Sequence, residues 1–336
     1  MSVVRWGILG CAKIAERHVI PALQLAQSCV VTAIASRDPA RAEATAERLG
    51  IPVALGSYED LLARDDVDAV YIPLPNHMHV PWSIRALVQG KHVLCEKPIA
   101  MNAPEARQLR DASRAHPHLK VMEAFMYRFH PQWQEARRLV AEGRIGELRA
   151  IDTIFSYANA DPHNIRNRLE TGGGALMDIG CYGVSVARYL YGAEPTRVMA
   201  TMQHDPCFRT DRVTTAILEF EDGVATFTCG TQLAPFQRVQ VMGSKGRVEV
   251  EIPFNAPADR PCRLRVEADS AVEDVVIASC NQYTRQGEEF ARSVLQGTAA
   301  PIPLEDAVSN MDVIDAAVES AWHGNWVDVG VLRGRR

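Results

Sequence analysis

The 336-residue sequence has no C-x-x-C pair, no block of Lys or Arg, and no apolar stretch approaching the 18 residues of a membrane span. Nor does its start run through charged, apolar and cleavage regions in series. Each absence removes a class. No membrane is an expected partner, and the expected compartment is the cytoplasm. The eight cysteines, at positions 11, 29, 95, 181, 207, 229, 262 and 280, lie scattered, mostly in apolar patterns, and read as reduced packing thiols. With 36 Lys and Arg against 41 Asp and Glu, the net charge is -5, and the terminal Arg333-Gly334-Arg335-Arg336 is too short for a nucleic-acid footprint. No nucleic acid is expected. His77 and His79 stand two apart without nearby carboxylates, which is poor ligand geometry, so no metal is expected.

What is present is an ordinary globular composition, 47% apolar and 23% charged, in a chain longer than one core usually serves. Two domains are expected, residues 1–124 and 125–336. In the first, strands near 3–10, 30–35, 69–72, 92–95 and 120–124 alternate with helices, including one capped by Asp38 with Pro39 at its first position. That rhythm predicts an α/β domain, a doubly wound parallel sheet of Rossmann type. Beyond residue 145 the period falls to 2, as in Arg247 to Ile252, with hairpin signals at 221–223 and 243–246. The second half therefore reads as α+β with an open, mostly antiparallel sheet, one long helix over about 174–191, and helices near 283–297 and 305–322. An outward sheet face suggests a homodimer or homotetramer joined through the C-terminal sheet.

Gly10, Cys11, Ala12, Lys13 and Ile14 leave the first strand and open a helix, the context in which backbone amides hold a pyrophosphate. Two of the three fingerprint glycines are Ala here, so an ordinary strand–helix turn remains the alternative. Where an acid would bond a ribose hydroxyl, the second strand ends in Ser36-Arg37, which favours a 2'-phosphate and hence NADP, with NAD as the alternative. A solvated surface charge is the plain reading of Arg37. Leu74, Pro75 and Asn76 leave the fourth strand at its C-terminal end, where ligands bind in this architecture. Asn76 and His79 stand equally as cofactor contacts or as caps of the next helix.

Lys97 follows a strand in Glu96-Lys97-Pro98, and Tyr182 follows Asp178 by one helical turn, after the glycines 172–174. A tyrosine can take a proton from a substrate hydroxyl if a neighbouring lysine brings its pKa of about 10 nearer to 7. Glu96 is placed to hold the lysine and Asp178 to receive a second substrate hydroxyl. The glycines would let the helix N-terminus approach cofactor or substrate. Taken singly, each of these residues is more often structural, and Asp178 is more often an N-terminal helix acid. Their combination points to an enzyme.

The opening turn, Pro75 to His79, Gly90 to Pro98 and Gly172 to Tyr182 together resemble the glucose-fructose oxidoreductase, inositol dehydrogenase and related (Gfo/Idh/MocA) family over nearly the whole chain. The resemblance implies that Lys97, before a cis Pro98, is the catalytic-site lysine and Tyr182 the acid/base. It implies NADP-dependent hydride transfer on a sugar or related cyclic polyol. A ketosugar or nucleotide-sugar ketoreductase, a trans-dihydrodiol dehydrogenase and a non-catalytic NADP sensor are the alternatives. Arg166 loosely matches a cofactor-contacting arginine. Arg128 and His130 stand as cleft, core or hinge residues, and Phe155 as facing either substrate or core.

Overall fold

The computed structural model describes residues 2–330, so the arginines at 333–336 lie outside it. The chain divides into two compact units, Met1–Met126 with Asn281–Val308, and Tyr127–Cys280 with Ser309–Arg336. A single boundary near 124 therefore misses one feature, the return of 281–308 to the first unit.

In the first unit six parallel strands, β1 (Val4–Leu9), β2 (Cys29–Ala35), β3 (Val53–Leu55), β4 (Ala69–Ile72), β5 (His92–Cys95) and β6 (Val121–Glu123), run in the order β3-β2-β1-β4-β5-β6. The order reverses beside β1, which is the switch point of a doubly wound sheet. β4 is buried at every residue, as a strand covered on both faces must be. Asp38 caps helix Pro39–Leu49 by accepting from Arg41 N, as its sequence context predicts. The returning helix, Gln282–Gln296, joins this core because its apolar side is complementary to it. Phe290 is fully buried with its ring 5.5 Å from that of Trp6, and a Cβ on Gly287 would come within 2.5 Å of Leu23.

The second unit is built on nine strands, β7 (Leu148–Ala158), β8 (Arg197–His204), β9 (Asp211–Phe220), β10 (Gly223–Gly230), β11 (Gln232–Gly243), β12 (Gly246–Val250), β13 (Cys262–Ala268), β14 (Ala271–Ile277) and β15 (Val327–Asp328). Their order is β14-β13-β12-β11-β7-β10-β9-β8-β15, and among neighbouring pairs only β7 and β10 run parallel. Both expected hairpins form, β9 to β10 and β11 to β12. Helix Cys181–Tyr191 packs on β7 and β10, and helix Pro131–Ala141 on β12 and β13. Along β9 the residues alternate, Ala216 and Leu218 buried and Thr215 and Ile217 exposed, so one face of the sheet carries the core. No helix among the described residues is long and apolar enough to cross a membrane.

Phe290→Ala is expected to lower the unfolding free energy by roughly 3–5 kcal/mol, the usual cost of emptying a filled aromatic site. Denaturant unfolding measures it, and a change under 1 kcal/mol would show that the returning helix is not a core element.

Candidate active site

The turn after β1 depends on one glycine. Gly10 has φ +109°, and a Cβ there would lie 3.0 Å from a Leu74 methyl, so no side chain fits between this turn and the loop after β4. Its amide donates to Ala35 O at 2.8 Å, which ties the turn to the end of β2. Ala12 and Ile14 are half-buried, Lys13 is exposed, and the helix begins at Lys13 and passes through a five-residue π turn, Ala15–Val19. Cys11 is buried, burial pushes its thiol up, and its carbonyl accepts from the Arg41 guanidinium. Ser36 is buried with its hydroxyl accepting from Asp38 N at 3.1 Å, while Arg37 is exposed. Arg41 is a missed residue. Its position was legible, since the Asp38-Pro39 helix start puts 41 in the first turn, four residues past Arg37.

Two loops beyond β4 and β5 are joined by His79. Its ring nitrogens lie 2.8 Å from Pro98 O and 2.7 Å from Leu74 O, and the residue is 1% exposed. Burial pushes its pKa down to about 4 against the pull of the two carbonyls. The expected cap role is thereby corrected. The side chain makes no helix cap, Met78 occupying that position, and both ring nitrogens are already engaged. Asn76 is half-buried in the short helix Asn76–Met78, whose cap position is Pro75. The Lys97–Pro98 peptide is cis. Glu96 does support the Lys97 loop, through Lys97 N at 3.4 Å, and is itself held by the Tyr71 hydroxyl at 2.5 Å. Tyr71 is fully buried, and burial and the Glu96 charge push its phenol up, so it acts as a donor. Nothing in its sequence context marks it.

In the second unit, Asp178 and Tyr182 lie on a helix set hard against the sheet. A Cβ on Gly174, at φ +119°, would fall 1.9 Å from Asp211 Oδ1; one on Gly180 would meet Cys229 Sγ at 2.8 Å, and one on Gly183 would meet Phe227 Cβ at 2.7 Å. Asp211 Oδ2 accepts from Leu176 N at 2.8 Å and Thr214 Oγ1 at 2.6 Å, which satisfies the start of the helix. The glycines at 173 and 174 also pack closely within the unit, Gly173 against Arg166 O and Gly174 against Asp211. The helix is also not α throughout. Leu176–Gly180 forms a π turn, continued by Cys181–Tyr191 as α-helix.

Tyr182 is 4% exposed, with the rings of Phe254, Phe155 and Tyr127 at 4.9, 5.6 and 5.8 Å. Phe155 therefore packs beside Tyr182 in the core. Asp178 Oδ2 accepts from the Tyr157 hydroxyl at 2.5 Å and pairs with Arg166 Nε at 2.9 Å. Arg166, expected on the cofactor, is placed on Asp178. Arg128 donates to Ser185 Oγ at 2.9 Å and lies over the Tyr189 ring, a bracing position within the unit. His130 is fully buried, and its Nδ1 accepts from Gln132 N to cap the next helix. Phe254 went unseen because its burial depends on Trp133 Nε1 donating to Pro253 O at 2.7 Å, far away in sequence.

Residues 4–125 match the oxidoreductase family model with NAD-binding Rossmann fold, and residues 133–249 match the GFO/IDH/MocA C-terminal domain. The chain is 40% identical over 96% of its length, and 99% of the relative's, to D-xylose 1-dehydrogenase (NADP(+)) 2 of Haloferax volcanii. This chain belongs to the Gfo/Idh/MocA oxidoreductase family. A 3-ketoreductase from Actinomadura kijaniata, solved with NADP and TDP-benzene, superposes with a TM-score of 0.90 at 35% identity, covering 95% of this chain and 98% of that one. Aldose-aldose oxidoreductase from Caulobacter crescentus, solved with glycerol, gives a TM-score of 0.90 at 28% identity, with coverage of 97% and 99%. The Gfo/Idh/MocA fold thus extends over both units.

Two outcomes follow from this packing. Gly174→Ala should cost roughly 2–5 kcal/mol from its backbone conformation and the collision with Asp211; denaturant unfolding at neutral pH reads it, and a neutral effect would contradict the close packing. His130 has its pKa pushed by burial to about 4, below the ordinary 6.5, so the unfolded chain binds the proton first. Its contribution is complete above about pH 6.5 and is lost as the pH falls toward 4. His130→Asn, which keeps a capping group, should lose about 2 kcal/mol less stability than wild type between pH 7.5 and 5. Equal losses in urea titrations would contradict the buried neutral ring.

Proposed function

We propose that this Gfo/Idh/MocA protein is an NADP-dependent enzyme that moves a hydride between nicotinamide and a hydroxyl or carbonyl of a sugar or related cyclic polyol. The observation that carries the reading is the single helix that holds Asp178 and Tyr182, one in an ion pair and the other in an aromatic nest, in a chain whose first domain matches the NAD-binding family. The residues of the first unit fit the dinucleotide. Gly10 keeps the turn open where a Cβ would close on Leu74. Ser36, Arg37 and Arg41 supply a hydroxyl and two guanidinium groups at the end of β2, while the one acid there, Asp38, already accepts from Arg41 N. That donor set suits a 2'-phosphate better than a bare ribose hydroxyl.

When bound, the dinucleotide supplies the hydride donor or acceptor. Tyr182 Oη takes the proton of the substrate hydroxyl, or returns it in the reductive direction. Lys97 is the lysine assigned to the proton step, and Glu96 fixes its backbone. Asp178 receives a second hydroxyl and orients the ring. The aromatic walls keep the Tyr182 ring in one place and water away from it, which strengthens each of these interactions. A nucleotide-sugar ketoreductase is the second reading, favoured by the likeness to the Actinomadura 3-ketoreductase, and the same residues serve it. The proposal extends to a cytoplasmic homodimer or homotetramer joined through the nine-stranded sheet, whose outer face presents Thr215, Ile217 and Thr228. A monomeric mass by light scattering would remove that part.

Tyr182→Phe is expected to lower turnover on the order of 100-fold or more on whichever sugar the wild type uses, with NADP affinity retained. Retained turnover with an unchanged pH profile would remove Tyr182 from the acid/base role. Product analysis starting from sugar with NADP, and from ketosugar with NADPH, separates the two readings.

A further inference from the structure

Two residues of one strand meet two residues of one helix. β7 carries Phe155 and Tyr157 on the same face, two positions and hence about 6.6 Å apart along the strand. The helix carries Asp178 and Tyr182 four positions apart, Asp178 in the π turn and Tyr182 in the α-helix that continues it. Each strand residue meets its own partner. The Phe155 ring lies edge-on to Tyr182 at 5.6 Å, and the Tyr157 hydroxyl donates to Asp178 Oδ2 at 2.5 Å. Arg166 Nε reaches the same oxygen at 2.9 Å. The Asp178 side chain is 13% exposed, so its charge is held chiefly by protein donors.

Tyr157 is a donor throughout the working pH range. Burial, then the Asp178 charge, pushes its phenol far above the ordinary value. The titratable side chains facing Asp178 include Tyr157 from β7, Arg166 from the short helix at 165–167 and Cys229 from β10, whose thiol burial pushes up; Cys181, on the same helix, turns its thiol to the Asp178 carbonyl.

We propose that Tyr157 is a positioning residue of the reaction: its hydroxyl fixes the Asp178 carboxylate and keeps it ionised to receive a sugar hydroxyl, while Phe155, two residues away, sets the ring of Tyr182. The assignment rests on the sugar oxidoreductase reading. It makes β7 the template of the site, since one strand face sets the direction of both the orienting carboxylate and the acid/base phenol.

The test is Tyr157→Phe in the whole protein, which removes one oxygen and leaves the ring. Two readouts are taken, steady-state kinetics on a sugar that the wild type turns over, and the carboxyl titration of Asp178 by NMR of protein labelled at aspartate Cγ, assigned with Asp178→Asn. Losing a donor to the charged form raises the carboxyl midpoint by about one pH unit, and the acid limb of kcat/KM follows it. KM for the sugar rises about tenfold, as expected for a lost hydrogen bond to a charged group, while KM for NADP stays unchanged. A carboxyl midpoint, acid limb and sugar KM all equal to wild type would overturn the assignment. Tyr157→Gln, which keeps a donor, should recover part of each shift; a midpoint displaced upward by a full unit despite that donor also overturns it. If the wild type turns over no sugar, the parent reading fails instead, and the carboxyl titration still decides the Tyr157–Asp178 bond.

Discussion

The second unit depends on the closeness with which one helix approaches one sheet. At Gly174, Gly180 and Gly183 a single added carbon would collide with Asp211, Cys229 and Phe227 respectively. With hydrogen in those places, the helix lies near enough to β7, β9 and β10 for short side chains to reach across. Asp211 then satisfies the helix start, Tyr157 reaches Asp178, and Phe155 reaches Tyr182. The glycines have no chemical role, yet they fix the distance over which each functional group is held. The π turn at Leu176–Gly180 lies within this closely packed stretch, and such turns are frequent at functional sites.

The first unit applies the same economy to its loops. Gly10 brings the first turn against Leu74, and His79 joins the Leu74 and Pro98 carbonyls, so three loops at the C-terminal edge of the sheet are fixed to one another. Glu96 is fixed from beneath by Tyr71. The helix after Gly10 also passes through a π turn, Ala15–Val19. Backbone rigidity at the ends of parallel strands is what a dinucleotide site requires, because its donors are mostly main-chain amides.

Local rules made much of this legible. Alternation of strand and helix is a short-range property, so five of the six parallel strands and the Asp38 cap could be read directly, whereas β3 is three half-buried residues with no pattern to detect. Period 2 and turn residues located the hairpins. The return of Gln282–Gln296 to the first unit was not legible, because an amphipathic helix does not say which core it covers. Among the candidate residues, Lys97, Asp178 and Tyr182 stand out by sequence context, while their supports do not. Tyr71, Tyr157, Asp211 and Phe254 are ordinary residues in ordinary strands or loops, and only folding places them against the rare ones. Arg128, Arg166 and Phe155 illustrate the converse, since residue types suited to ligands are engaged with Ser185, Asp178 and the Tyr182 ring.

The most direct measurement is nicotinamide absorbance during incubation of the purified protein with NADP, and separately with NAD, against aldoses, polyols and dihydrodiols, and with NADPH against ketosugars. Sugar-dependent change with NADP or NADPH, and little with NAD, is the result expected of Arg37 and Arg41 in the first unit and of Tyr182 and Asp178 in the second. Cofactor that binds but undergoes no redox change with any sugar, and shows no reduced form in the protein as purified, would contradict an oxidoreductase acting on sugars and point to a non-catalytic dinucleotide sensor.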